Sequence, residues 1–237
     1  MKITTMKSSR ILFTAVFAVI TIVSFTGCKK NNDRKPLCRI TAFTLAGQVY
    51  NLSYNSNGKI IVLTHDVFSQ TYDYSPNTTI ITTLSSGAFN SKVIATINAT
   101  GLATNVRTEH NVSGTDWSNE AYEYNGEELI KQTSTRSSDT VHNITTYTWF
   151  NHNPISQTAG SSTELLQYYT DKPRQNGDYL DFFQLIGGYE FLRTRNLLKS
   201  FGNSTLTYDF GMDGNISAVT FSTPGGSSTI NYQYECK

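Results

Sequence analysis

The sequence predicts an all-β fold, an antiparallel meander of about 12 to 16 short strands curled into a barrel-like sheet. Three observations predict it. Apolar and polar residues alternate with period two, most plainly at the C-terminus, where Ile230, Tyr232, Tyr234 and Cys236 share one face and Asn231, Gln233 and Glu235 the other. Aromatic pairs spaced by two recur along the chain, and most are followed by a turn dipeptide and an aliphatic run. A composition with 14 Tyr, 13 Phe and only five Pro suits half-buried strands.

Taken in order, residues 1–27 have the parts of a secretory signal: Lys2, Lys7 and Arg10, an apolar run from Ile11 to Phe25, then small residues. As a helix that run reaches about 22 Å, less than the roughly 20 residues that a hydrocarbon core of about 30 Å requires. Phe25-Thr26-Gly27-Cys28 resembles the lipobox read by lipoprotein signal peptidase, with Phe25 where an aliphatic residue is usual. Cleavage there makes Cys28 the lipidated first residue, and each buried methylene of the added chains contributes about 0.8 kcal/mol to anchoring. Residues 28–37 form a lipidated flexible tether, charged and polar with Pro36, that reaches at most about 30 Å. Lys29 directly after the cysteine resembles lipoproteins forwarded to the outer membrane. The expected address is the cell envelope, lipid-anchored at the outer membrane, with the periplasmic and surface faces both open.

Residues 38–237 read as a single all-β domain. Its first strand begins at Cys38, and hairpins follow: Tyr50, Leu52 and Tyr54 precede Asn57-Gly58 and Ile60 to Leu63. Tyr72 and Tyr74, then Tyr122 and Tyr124 before Asn125-Gly126, then Tyr147 and Trp149 repeat the pattern. Asn-Gly and Asp-Gly supply the positive φ that tight hairpins need. Residues 177–200 break the alternation, and Tyr179, Leu180, Phe182, Phe183, Leu185 and Ile186 predict one short helix near 179–186, after Asp178, that plugs or covers the sheet. Leu206, Tyr208 and Phe210, Asp213-Gly214, Ile216 to Phe221, and Pro224-Gly225-Gly226 complete the meander before the last strand. Most strands read as about 6 to 8 residues, whereas a membrane barrel needs about 9 to 11.

Removal of residues 1–27 leaves 16 basic and 18 acidic residues, a net charge of −2. With no basic stripe, nucleic acid is excluded as a partner, and affinity for an anionic membrane surface through charge is low. No Gly-x-Ser-x-Gly, His-Glu-x-x-His, phosphate-binding glycine loop or Cys-x-x-Cys is present, so no catalytic residue, cofactor or metal is assigned. Glycosidases need only two carboxylates, which linear spacing does not reveal; Asp116 with Glu120 and Asp178 with Asp181 are the candidates, expected to be solvated loop charges. Of His65, His110, His142 and His152, only the last two are placed to meet across a hairpin. Trp117 reads as an aromatic in a polar loop and is the one candidate ligand-binding residue; the paired aromatics read as cross-strand core packing. Cys38 and Cys236 remain once Cys28 is acylated, and both lie on apolar faces. A disulfide between them, as one of two open readings, requires the first and last strands to be neighbours.

The cysteine-led start (Cys38-Arg39-Ile40), the Tyr-Asn-x-x-Gly-Lys-Ile hairpin and the closing Tyr-x-Tyr-x-Cys resemble an uncharacterised lipoprotein family of Bacteroidota, a domain of unknown function with a porin-like fold. The hairpins at Tyr54 to Ile60 and Tyr208 to Val219 are also similar to tyrosine-aspartate repeats of secreted shell proteins. The resemblance implies a meander of barrel-like shape and supplies no catalytic residues. The expected function is a non-enzymatic, outer-membrane-tethered β domain that binds a glycan, a lipid or an envelope protein. A glycan-acting hydrolase and a structural envelope component are the alternatives.

Overall fold

The computed structural model describes residues 38–139 and 141–236. The leader, Cys28 and the tether lie outside the described residues. Sixteen strands and one helix follow in order: β1 (Cys38–Leu45), β2 (Gln48–Tyr54), β3 (Ile60–His65), β4 (Phe68–Ser75), β5 (Thr78–Ser85), β6 (Ala88–Ile97), β7 (Ala103–Glu109), β8 (Trp117–Asn125), β9 (Glu128–Arg136), β10 (Asn143–Phe150), β11 (Asn153–Ala159), β12 (Ser162–Pro173), α1 (Tyr179–Gly187), β13 (Asn196–Phe201), β14 (Ser204–Phe210), β15 (Ile216–Thr223) and β16 (Gly226–Cys236). Each strand pairs with its sequence neighbours, and β1 also pairs antiparallel with β16, so the meander is a closed barrel without a free edge. Strands run from 6 to 12 residues, longer at the upper end than the sequence suggests, because β6, β12 and β16 continue past their alternating cores.

Hairpin chemistry sets the register. Ala46-Gly47 and Ser86-Gly87 have positive φ at both turn positions, the geometry that matches strand twist in two-residue loops. Because connections are tight, even-to-odd turns all lie at one mouth of the barrel, together with Cys38 and Cys236; odd-to-even turns lie at the other. The two cysteines are paired in register and joined by a disulfide, with Cα atoms 4.0 Å apart. Cys236 is exposed and Cys38 half-buried, so the bond sits on the rim and not in the core that their apolar neighbours suggested. The last core-facing position of β16 is Tyr234; beyond it the strand runs out of the barrel.

The aromatic pairs face inward. Leu52, Tyr72, Leu206, Tyr208, Val219, Ile230 and Tyr232 are buried in one continuous core, and Tyr54, Tyr74 and Tyr234 pack against it. The alternate positions Asn51, Ser53, Thr71, Asp73, Glu123, Asn231 and Gln233 are exposed on the outer wall. A lipid-spanning barrel needs the reverse polarity, an apolar outer band around a polar lumen. This barrel has its apolar face inside.

Sixteen strands enclose more space than their own side chains fill. The segment between β12 and β13 takes up that space. Its apolar residues recur at helical spacing, and α1 enters the lumen with Phe182 edge-on to Phe43 at 4.9 Å and Tyr179 stacked on Phe221 at 5.2 Å. Gly188 ends the helix at φ +64°, and a Cβ there would stand 2.7 Å from the Tyr72 ring; only glycine satisfies both demands. Beyond the helix, Leu192 packs on Ala95 and Ala103, small residues that make room for it. Backbone bonds fasten the plug to the wall: the Ala103 amide donates to the Glu190 carbonyl at 2.7 Å, and the Tyr72 and Tyr124 hydroxyls donate to the carbonyls of Ile186 and Phe191.

Asp178, expected as a solvated charge, is fully buried at the start of α1. The Tyr208 hydroxyl donates to its Oδ1 at 2.8 Å, while its Oδ2 and the hydroxyls of Tyr168 and Tyr232 have no partner among the described residues. Burial pushes the Asp178 carboxyl up to about 6, helped by the charge of Asp181 and opposed by the Tyr208 bond and Arg174. A carboxyl raised in the folded state stabilises fully below its unfolded pKa near 4, and that contribution is lost as pH rises through about 6. Asp178→Asn should therefore raise stability by about 1 to 3 kcal/mol near pH 8 and leave it unchanged near pH 4. Urea titrations at the two pH values read this difference; equal shifts at both would show that the Asp178 carboxyl is not raised in the folded protein.

Candidate functional site

Where the plug meets the mouth that carries Cys38 and Cys236 it leaves a cleft of about 790 Å³. One wall is the barrel itself: Arg39 from β1, Tyr54 from β2, Lys59 before β3, Tyr74 from β4, and the turns carrying Asn77 and Asn98. The other wall is the plug, with Arg174, Asn176, Asp181, Gln184, Tyr189 and Glu190. The sheet fixes the first wall because Tyr54 and Tyr74 are the last inward positions of their strands. The hydroxyl of Tyr54 donates to the Ile40 carbonyl, and Arg39 lies 4.7 Å over the Tyr54 ring while Lys59 lies 4.6 Å over that of Tyr74. Burial pushes both phenols up to about 12, so they stay neutral and able to donate.

The floor is an ion network. Arg174 donates through Nε to Asp181 at 2.7 Å and through Nη2 to both Asp181 and Glu190, the latter at 2.8 Å. Glu190 also accepts from Arg193 at 2.7 Å, and Arg193 reaches Glu127 at 3.1 Å. Burial pushes the Asp181 carboxyl up, and the hydrogen bond and charge of Arg174 hold it down in part. Gln184 is buried beside this network; its side-chain oxygen accepts from the amides of Phe191 and Leu192 and its nitrogen donates to the Leu192 carbonyl. The plug is thus tied to itself and cannot slide without breaking charged bonds.

Two carboxylates that accept from one nitrogen stand within about 5 Å, the separation of nucleophile and acid in retaining glycosidases. Here Arg174 lies between them. A general acid needs a carboxyl free to hold and release a proton, and the guanidinium bonded to Asp181 holds its carboxyl down against burial. The arrangement suits holding a structure or a ligand better than acid catalysis.

Of the candidates read from the sequence, Asp181 lies in this cleft and the others fall elsewhere. Trp117 is not in a loop: it opens β8 on the outer wall near the opposite mouth, its ring 4.7 Å from the Arg107 guanidinium, which also bonds Glu109. The alternation of β8 reaches back to Trp117 because the turn before it is shorter than its polar composition implies. Glu120 faces the lumen, accepting from Gln132 at 2.8 Å and from Ser134, so it does not pair with Asp116. His142 and His152 sit in turns at opposite mouths and do not meet; His152 lies 3.4 Å from Glu128. Cys38, Cys236 and Asp213 bring three ligand atoms within 4.8 Å, yet both sulfurs belong to the disulfide and offer no thiolate. Arg174, Gln184 and Glu190 escaped the sequence reading. Their one signal was position: they flank or lie in the only stretch where period two fails.

No family model matches the chain, and no curated protein resembles it in sequence. Solved structures do share its architecture. A porin-like protein from Bacteroides uniformis ATCC 8492 superposes with a TM-score of 0.58 at 16% identity, covering 83% of this chain and 98% of that one. A porin-like protein from Bacteroides vulgatus ATCC 8482 gives 0.54 at 17% identity, covering 82% and 97%. At this identity the likeness is one of fold: a porin-like barrel, here with an apolar interior and a polar wall.

Proposed function

We propose that this barrel is a non-enzymatic binding protein of the cell envelope, tethered through Cys28, whose cleft holds a glycan. One observation carries the reading: a rigid cleft at the barrel mouth combines aromatic rings (Tyr54, Tyr74, Tyr189) with amides and charged groups (Asn77, Asn176, Gln184, Glu190). Aromatic faces take the apolar face of a sugar ring, and planar amides and carboxylates bond its hydroxyls. A smaller, wholly apolar cavity would suit a lipid tail; this one is too polar for that. The envelope address rests on the leader and lipobox and on the likeness in fold to porin-like proteins from Bacteroides.

Purified protein exposed to immobilised bacterial envelope oligosaccharides should bind a subset of them. Tyr74→Ala should weaken that binding by about tenfold, the effect of removing one aromatic contact worth about 1 kcal/mol together with the order it gives Lys59. Trp117→Phe, on the far outer wall, should change nothing. Unchanged affinity in the Tyr74 variant would remove the cleft from the reading. Release of new reducing ends from the same sugars would favour the hydrolase, with Asp181 and Glu190 as its carboxylates.

A further inference from the structure

The plug begins on a carboxyl that its surroundings do not suit to a charge. Asp178 is fully buried, and Gly177 before it packs so closely on β16 that a Cβ there would stand 3.2 Å from Cε2 of Tyr232. From the wall, its charge acts on three phenols: Tyr168 of β12, Tyr208 of β14 and Tyr232 of β16. From the plug itself it meets the like charge of Asp181 and, against that, Arg174, whose guanidinium is already bonded to Asp181 and Glu190. Oδ2 has no partner among the described residues, nor do the hydroxyls of Tyr168 and Tyr232. A carboxylate with one bare oxygen in such a place is unfavourable to form, and the neutral acid is far less so.

The geometry also gives the proton a place. The Tyr208 hydroxyl stands 2.8 Å from Asp178 Oδ1 and 2.9 Å from the Leu198 carbonyl, two acceptors for a single phenol proton. With Asp178 ionised, one of the two contacts lacks a hydrogen. With Asp178 protonated at Oδ1, the acid donates to the phenol oxygen and the phenol donates to Leu198, so an unbroken chain ties the head of the plug to β14 and β13. That head also builds one wall of the cleft, through Asn176 and Gly177 before Asp178 and through Asp181 and Gln184 after it. We infer that Asp178 is a proton latch: in its acid form it holds the head of the plug to β13 and β14, and on ionisation it frees that segment and loosens the cleft wall built on it. The latch is independent of what the cleft binds. Burial, which pushes the carboxyl up to about 6, sets its range: the latch is complete below the ordinary carboxyl value near 4, is lost as pH rises, and has gone above about 6.

Amide hydrogen exchange of the purified full chain, corrected for the intrinsic effect of pH on exchange, tests this. The plug amides from Phe182 to Ile186, the first of which donates to the Asp178 carbonyl, should lose protection by about twentyfold between pH 4.5 and pH 7, while amides of β4 and β5 keep theirs. In Asp178→Asn the plug should be equally protected at both values. Tyr208→Phe removes a bond that holds the carboxyl down, so the loss should level off at a higher pH than in wild type. Unchanged protection of the wild-type plug overturns the latch. A loss shared equally by β4 and β5 is a loss of global stability and overturns it too. A loss that persists in Asp178→Asn would assign the titration to Asp181, with the same result. Should the asparagine variant not fold, a Tyr208→Phe profile identical to wild type overturns the latch by itself.

Discussion

Replacing Cys38 and Cys236 together by serine should lower the unfolding midpoint by roughly 5 to 15 °C. The bond joins residues 198 positions apart, and the loop-entropy model gives about 5 kcal/mol for a loop of that size, with about 2 to 5 usual when a native disulfide is removed. For a domain of this length each kcal/mol moves the midpoint by about 2 to 4 °C. The folded barrel should keep its shape. β1 and β16 remain paired from Arg39 with Glu235 to Leu45 with Ile230, and the Arg39 to Glu235 ion pair at 2.7 Å persists. The loss is therefore a gain in freedom of the unfolded chain, and the variant should show native circular dichroism at 25 °C. Wild type scanned in strong reductant should melt with the variant. An oxidised wild type that melts at the variant's temperature, with both thiols alkylated in a non-reducing peptide map, would show that the bond does not form.

Arg174→Ala should cost about 3 to 5 kcal/mol at pH 7, the cost of leaving the largely buried Asp181 without its cation while Glu190 keeps Arg193. Asp181 and Glu190 would then face each other as like charges, with side chains only 18% and 27% exposed. The Asp181 carboxyl would shift further up, because the hydrogen bond and charge of Arg174 that hold it down against burial are gone. A raised Asp181 carboxyl is stabilised in its protonated form, so the defect should shrink as pH falls through the carboxylate range toward 4. Denaturant unfolding of wild type and variant at the two pH values measures this. Adding Asp181→Asn to the variant should recover part of the loss, a coupling that the double-mutant cycle isolates. A loss independent of pH would instead assign Arg174 a packing role through its alkyl chain.

Several parts of this structure stand in the sequence and others do not, and the division follows the range of the forces involved. Period two is a local property, so the strands around Tyr54, Tyr74, Tyr124 and Tyr208 and the hairpins at Gly58, Gly126 and Gly214 were legible one by one. The same is true of α1, whose helical spacing begins after Asp178 as expected. Asp178 and Asp181 were misread because a charge in a polar stretch carries no mark of burial; the closed wall around that stretch creates it. Trp117 was placed in a loop because Thr115 and Asp116 before it are polar; it is instead the first residue of β8, where the alternation begins. The assembly of the cleft could not be read, although Tyr54, Tyr74 and Asp181 each stood out in the sequence. Tyr54, Asn98, Arg174 and Glu190 are far apart in sequence, and only the plug's return through the mouth brings them together.

The sequence by itself determined the all-β class, a meander of about 12 to 16 strands, the single helix and the apolar face of the strands around Tyr54, Tyr74, Tyr124, Tyr208 and Tyr232. Tertiary structure decided three further matters: that β1 meets β16 and shuts the meander, that the segment expected to plug or cover the sheet fills the lumen and does not cap it from outside, and that an ion pair network floors the open mouth. Closure depends on the twist and stagger accumulated over sixteen strands, and a small change per strand would leave the sheet open. Filling depends on volume: a barrel this wide is stable with an apolar interior only when a further segment excludes water from it. Neither quantity is held by any short stretch of residues. Both are sums over the whole chain, and that is why they became visible only when it was folded.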